Sequence, residues 1–292
     1  IPPYESSREI LSKIIRDLKA AKEMLAKCDI TDEHKIWMST SYRMLASSML
    51  SNDIASSDVF FAYRGYRMNY YAIVATLARV YYWEGEYEQA YKEAKEVVEA
   101  TYPYGSKPES CFNFVEYSSL GTNLKDYNSI IMCFFNKTLQ EDYIPYITRG
   151  NQTLFILDSD NIFADNKEQD RRFLLQTGSY NSNAYSLKYD IKLGQDGSDM
   201  VPGIRMGEYF ARKGEYSQAG KMLDEVRYAR GILTTNMENS IGSLEGFHTE
   251  LLKDMRKEFV GEGQMFFQYK RMDKKPVDNA IFVFDKPDNE DI

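Results

Sequence analysis

"LARVYYWEGEYEQAYKEAKEVVEA", residues Leu77–Ala100, sets a glycine between two stretches with small, apolar or aromatic residues at helical spacing. The pattern predicts a helical hairpin. Ala78 and Ala90 let two antiparallel helices approach closely, Gly85 turns the chain, and Tyr81 and Tyr87 fill the gap where a further helix pair would stack. "IRMGEYFARKGEYSQAGKMLDEVRYARG", from Ile204, aligns with it without a gap. Ala78 matches Gly207, Tyr81 matches Phe210, Gly85 matches Gly214, Tyr87 matches Tyr216, Ala90 matches Ala219 and Val97 matches Val226. These are the small, aromatic and turn positions of the tetratricopeptide (TPR) unit, a helical pair of roughly 34 residues. The alternative is two unrelated hairpins that use glycine turns and alanine contacts for ordinary reasons.

Outward from the hairpins, Ser6 or Ser7 can cap a helix carrying Ile10, Ile14, Leu18, Ala21 and Leu25. A second helical stretch with Trp37, Tyr42, Leu45 and Met49 follows a polar turn. Between Tyr102 and Val201 the texture changes to Gly, Asn, Asp, Ser and Tyr, with short strand-like runs "SIIMCFF" and "AYSLKYD". A regular solenoid does not interrupt itself so widely. The expected fold is mostly α: residues 1–292 as one domain, with 1–101 and 201–271 a TPR-like scaffold, 102–200 a loop-rich insertion and 272–292 an extended segment.

The composition of the 292 residues is globular, with 43% hydrophobic and 27% charged residues. A net charge of −8 repels phosphate backbones and argues against nucleic acid as a partner. The opening "IPPYESSREIL" is not a signal peptide, so the chain is expected to start inside something longer or to have lost a leader. Cys28, Cys111 and Cys133 are too widely spaced for a zinc pattern and are expected as buried thiols. The two histidines, His34 and His248, have no nearby cysteine and read as surface or helix-end residues. No catalytic arrangement and no cofactor motif emerges. Asp158, Asp160 and Asp165 form a weak calcium candidate that lacks the glycine and terminal glutamate of an EF-hand loop; capping and turn roles compete with it. Asp170, Arg171 and Arg172 read as a structural ion pair.

The order of motifs resembles the SusD/RagB family of Bacteroidetes nutrient-binding lipoproteins. "RMNYYAIVATLARVYYWEGEYEQA", "DNKEQDRRF" followed by "AYSLKYD", the second hairpin ending in "ARG", "RKEFVGEGQMFFQYKRM" and "IFVFDKPDNE" carry the likeness. They correspond to the C-terminal two-thirds of such proteins. Met265 and Gln268 stand where the family has an arginine and an aspartate, one turn apart, and Asp285 where a proline is common. The loss of both members of an ion pair suggests a neutral contact in its place.

The resemblance implies a non-catalytic, surface-exposed outer-membrane lipoprotein. It would capture an oligosaccharide beside a SusC-like TonB-dependent transporter, and meet the membrane only through a lipid anchor outside this chain. Peptide capture within the same family, and a cytoplasmic TPR scaffold for protein partners, are the alternatives. Ligand contacts are expected from Tyr117, Tyr127, Tyr143, Tyr146, Tyr180 and Tyr185, which lie among Gly, Asn and Ser off any helical period, and from Trp37 as an exposed platform.

Overall fold

The computed structural model describes residues 5–45, 64–119, 126, 128–133, 138–148, 154–188, 208–276, 278 and 280–282. Most of this is helix. Ser6 caps α1 (Ser7–Asp29) through a capping box with Glu9. The buried stripe of α1 runs through Ile15, Leu18 and Leu25 onto the next long helix. Ile10 and Ile14, expected on that stripe, are exposed, because a 3.6-residue period entered at Ile15 leaves them on its flank. A 3-10 turn (Lys35–Met38) and a π turn (Ser41–Leu45) follow; Met49 lies outside the described residues.

The predicted hairpin is α2 (Tyr70–Glu84) and α3 (Tyr87–Val98). Asn69 caps α2, its side chain accepting from the Ala72 amide, and Gly85 ends the helix with φ +89°. The Glu86 amide then reaches back to the Tyr81 carbonyl at 2.9 Å. The same turn recurs between α7 (residues 208–212) and α8 (Tyr216–Ala229). There Gly214 has φ +78°, and the Glu215 amide reaches the Phe210 carbonyl, again at 2.9 Å. Ala78, Ala90 and Ala219 are all buried at the helix contacts; Gly207 lies outside the described residues. The two pairs sit side by side, with Tyr91 stacked on Tyr209 at 4.2 Å and 15° between planes, and Met222 closing on Ala78 and Ala94.

A second layer continues α8. A short helical turn, α9 (Met237–Ser240), packs on it where Gly220 lets the backbone in, since a Cβ there would lie 2.2 Å from the Met237 carbonyl oxygen. Then come α10 (Leu244–Glu258), capped by Ser243, and α11 (Met265–Met272). Leu223, Val226, Phe247, Leu251, Met255 and Phe259 form their common core. Met265 joins that core, and buried Gln268 accepts from the Arg271 guanidinium at 3.4 Å rather than making the neutral contact expected.

The insertion carries β1 (Thr101–Tyr104) paired antiparallel with β2 (Lys107–Ser110). It also carries α4 (Leu139–Ile147), a turn α5 (Ser159–Ile162) and α6 (Arg171–Gln176). A three-stranded antiparallel sheet has the order β3 (Ile156–Leu157), β5 (Asn183–Ser186), β4 (Thr177–Tyr180). "AYS" of the second predicted run lies in β5. The described part of "SIIMCFF", residues 129–133, is not a strand. Its backbone is buried and satisfied by side chains: Arg43 donates to the Ile130 carbonyl at 3.0 Å and Asn69 to that of Ile131 at 3.0 Å, while the Cys133 amide donates to Gly65 at 2.7 Å.

Cys111 and Cys133 are buried free thiols, and burial pushes Cys111 up to about 11; Cys28 is exposed, contrary to expectation. Among the described residues no helix is long and apolar enough to cross a membrane.

Candidate functional site: an aromatic pocket beside a buried ion network

The motifs of the insertion and of the C-terminal helices meet inside the protein. Asp170 caps α6 and holds Arg172 through two side-chain bonds of 2.9 and 2.8 Å. Arg172 continues to Asp254 at 3.4 Å and Glu258 at 3.2 Å on α10. Arg230 grips Glu258 at 2.6 Å with one nitrogen and Asp126 at 2.7 Å with another. Arg227 bonds Asp254 at 2.7 Å and Glu250 at 2.8 Å. Lys188 closes on Glu262 and on the Glu258 carbonyl. The expected Asp170–Arg172 pair is thus one link of a larger structural network.

Burial works against each of these charges, and their neighbours decide the outcome. Burial pushes the Glu258 carboxyl up, but Arg230 and Arg172 outweigh it and hold the group down at about 2. Arg230 is held above the ordinary guanidinium range, with Glu258 the leading partner against burial. Glu262 goes the other way, raised because burial outweighs the attraction of Lys188. His248, expected at the surface, is buried and bonded to Glu208 at 3.0 Å, and Arg271 also pairs with Glu208 at 3.0 Å. Burial pushes Glu208 up, yet these partners bring it below its ordinary value.

Beside this network lies a pocket of about 490 Å³ lined by Asp142, Tyr143, Tyr146, Ile147, Phe155, Ser186 and Gly261. Helix α4 supplies the first four at i, i+1, i+4 and i+5, one face of a helix. Tyr143 and Tyr146 meet edge to face, their centroids 6.4 Å apart and their planes at 68°. The Phe155 amide donates to the Tyr146 carbonyl at 2.8 Å and the Ser186 amide to the Phe155 carbonyl at 3.3 Å, which ties the α4 wall to β5. Tyr146 is 48% exposed and Phe155 42%, so both rings present faces to solvent. Gly261, with φ +79°, turns the chain after α10 to close one edge.

Of the predicted ligand residues, Tyr143 and Tyr146 are brought together. They share a helix face, where no helical period was expected. Trp37 is no platform: it is 7% exposed in the core, its ring edge to face with Tyr42 at 5.1 Å. Tyr185 is buried as well, its ring lying over Gly178, the residue opposite it across the sheet. Tyr117 is half-buried with the Arg171 guanidinium 5.7 Å from its ring, and half-buried Tyr180 ends β4. Tyr127 lies outside the described residues.

The calcium candidate does not converge. Asp160 pairs with Lys167 at 2.5 Å and Asp165 with Lys253 at 2.8 Å, while Asp158 accepts from Asn161 at 3.2 Å. Among the described residues no group of three or more metal-ligating side chains could hold an ion.

Sequence reasoning missed Phe155, Ser186 and Gly261. A usable signal was the helical spacing within "EDYIPYI", which Pro145 disguises.

No family model and no curated protein matches this sequence. Solved structures do. A SusD-like carbohydrate binding protein from Bacteroides vulgatus superposes with a TM-score of 0.62 at 16% identity, over 96% of this chain and 54% of its own. A SusD superfamily protein from Bacteroides thetaiotaomicron gives 0.60 at 18%, over 93% and 60%. A SusD-like protein from Bacteroides fragilis gives 0.52 at 15%, over 93% and 61%. The chain therefore spans between about half and three-fifths of the length of these structures. Twin TPR-like hairpins, a loop-rich insertion between them and these superpositions together give the chain the SusD-like fold.

Proposed function

We propose that this protein is a non-catalytic carbohydrate-binding protein and that the pocket of Tyr143, Tyr146 and Phe155 holds one end of an oligosaccharide. The exposed rings of Tyr146 and Phe155 at the pocket carry the reading. A sugar ring offers apolar C–H faces that lie against such rings, while Asp142 and Ser186 supply polar atoms for its hydroxyls. The shared fold with a SusD-like carbohydrate binding protein supports it. The interior carboxylates Asp170, Asp254 and Glu258 are paired with arginines, which gives them a structural part in the scaffold.

On the resemblance to SusD/RagB proteins, residues 1–292 act as one unit, displayed on the outer membrane by a lipid anchor. That unit passes its glycan to a SusC-like TonB-dependent transporter.

The test is titration against a panel of plant and host glycans. Tyr146→Ala should weaken the glycan bound by wild type by about 1–3 kcal/mol, as loss of an anchoring aromatic does. The melting temperature should hold, because Tyr146 is 48% exposed. Unchanged affinity in both Tyr146→Ala and Phe155→Ala would remove the pocket as the site.

A further inference from the structure

At the opposite end of α10 from the aromatic pocket lies a cleft of about 750 Å³ between residues 164–166 and the start of the helix. This size is in the range of small-molecule sites. Its charged walls neutralise one another. Lys253 stands 2.8 Å from both Asp165 and Glu250, and buried Arg227 is shared between Glu250 and Asp254. A neutral ligand rich in hydroxyl groups can bind with all of these pairs intact, because a carboxylate accepts roughly four hydrogen bonds and keeps lone pairs after pairing. Donation to such an oxygen is charge-assisted.

The rest of the lining suits the same chemistry. Thr249 adds a hydroxyl, while Met237 and Ile241 add an apolar surface for C–H groups. Two glycines keep the floor bare. Gly242 has no atom within 4 Å of where a Cβ would stand and no left-handed φ, so the backbone does not require glycine there. Gly246 sits inside the first turns of α10, where glycine weakens a helix.

We infer that this cleft is a second saccharide subsite, taking a neutral ring of the same glycan chain that the aromatic pocket holds. The inference rests on the proposed carbohydrate-binding function. The cleft's lining on α10 runs from Gly246 to Lys253, and the aromatic pocket meets the same stretch of chain at Gly261, past the end of the helix. A long glycan reaching both sites binds bivalently, and joining two sites can raise avidity by about 10²–10⁴ over one.

The probe is whichever of glucan, xylan, mannan or galactan retards the wild-type protein in affinity electrophoresis, together with its disaccharide. Calorimetry should find two disaccharides per wild-type chain and one per Gly242→Phe chain, the new ring filling the cleft. Gly242→Phe should weaken polymer binding at least about tenfold. Lys253→Met, at a half-buried side chain, should weaken it in the same direction and decides the matter if Gly242→Phe does not fold. One disaccharide per wild-type chain, or unchanged polymer affinity in both variants, overturns the subsite and leaves the aromatic pocket standing. If Gly242→Phe abolishes binding while Tyr146→Ala is harmless, the glycan sits in the cleft alone and the bivalent arrangement is wrong. If none of the four polymers binds, the carbohydrate function falls and the subsite with it.

Discussion

Glu258→Gln removes the carboxylate that Arg172 and Arg230 share while keeping its shape. In the folded protein this group is held from its ordinary 4.5 to about 2. At about 1.36 kcal/mol per unit, that corresponds to about 3 kcal/mol of stability. Loss of one partner from a buried pair costs about 3–5 kcal/mol. The lower end applies, since Arg172 keeps Asp170 and Asp254, and Arg230 keeps Asp126. The sign follows from a depressed folded value: the contribution is complete above the unfolded value of 4.5 and disappears as pH falls toward 2. Urea unfolding of both proteins at pH 7, 5, 4 and 3 measures it. The gap should be about 3 kcal/mol at pH 7, nearly as large at pH 5, and should shrink steadily below that. The matching fall in melting temperature at neutral pH is about 6–10 °C. A gap below about 1 kcal/mol at pH 7, or one that does not close in acid, would refute the account of the network.

The remaining expectations are simpler. Ala219→Phe should overpack the fully buried contact between hairpin helices and cost about 1–3 kcal/mol in chemical denaturation. Gly220→Ala, although alanine is the better helix former, should lower the melting temperature because its methyl group meets the Met237 backbone; a rise would mean that α9 yields freely. Incubated with the glycan it binds, the protein should release no new reducing ends, and any release abolished by one Asp or Glu substitution would contradict the non-catalytic function.

Local turn chemistry made the helical part of this fold readable. Gly85 and Gly214 need left-handed φ, and the residues before them repeat, so the two hairpins announce each other. Ser6 likewise marks the start of α1. Aromatic side chains were harder, because a tyrosine among turn residues reads the same whether its ring faces solvent or covers a glycine across a sheet. Tyr146 and Tyr185 differ in this way: a face of α4 exposes the first, and the register of β4 against β5 buries the second. "SIIMCFF" has a strand's composition, yet the partners of its carbonyls, Arg43 and Asn69, come from far away in the chain. His248 misled for the same reason: its partner Glu208 is 40 residues distant. Phe155, Ser186 and Gly261 meet at the pocket only through tertiary packing.

The ion network also dictates an order of assembly. Asp126 waits for Arg230, 104 residues further on; Arg172 has Asp170 beside it but meets Asp254 and Glu258 only 82 and 86 residues further on. A charge buried before its partner exists carries a desolvation penalty of several kcal/mol with nothing to offset it. During synthesis, then, Asp126 must stay hydrated until Arg230 has been made, and α6 holds only the Asp170–Arg172 part of its network until α10 follows. Helices α1, α2 and α3 can close first, since Asp29 at the end of α1 pairs with buried Arg64 in the turn before α2, only 35 residues away. Truncation before Glu258 should therefore yield a folded amino-terminal hairpin with a protease-sensitive tail, and the aromatic pocket should be among the last features to form.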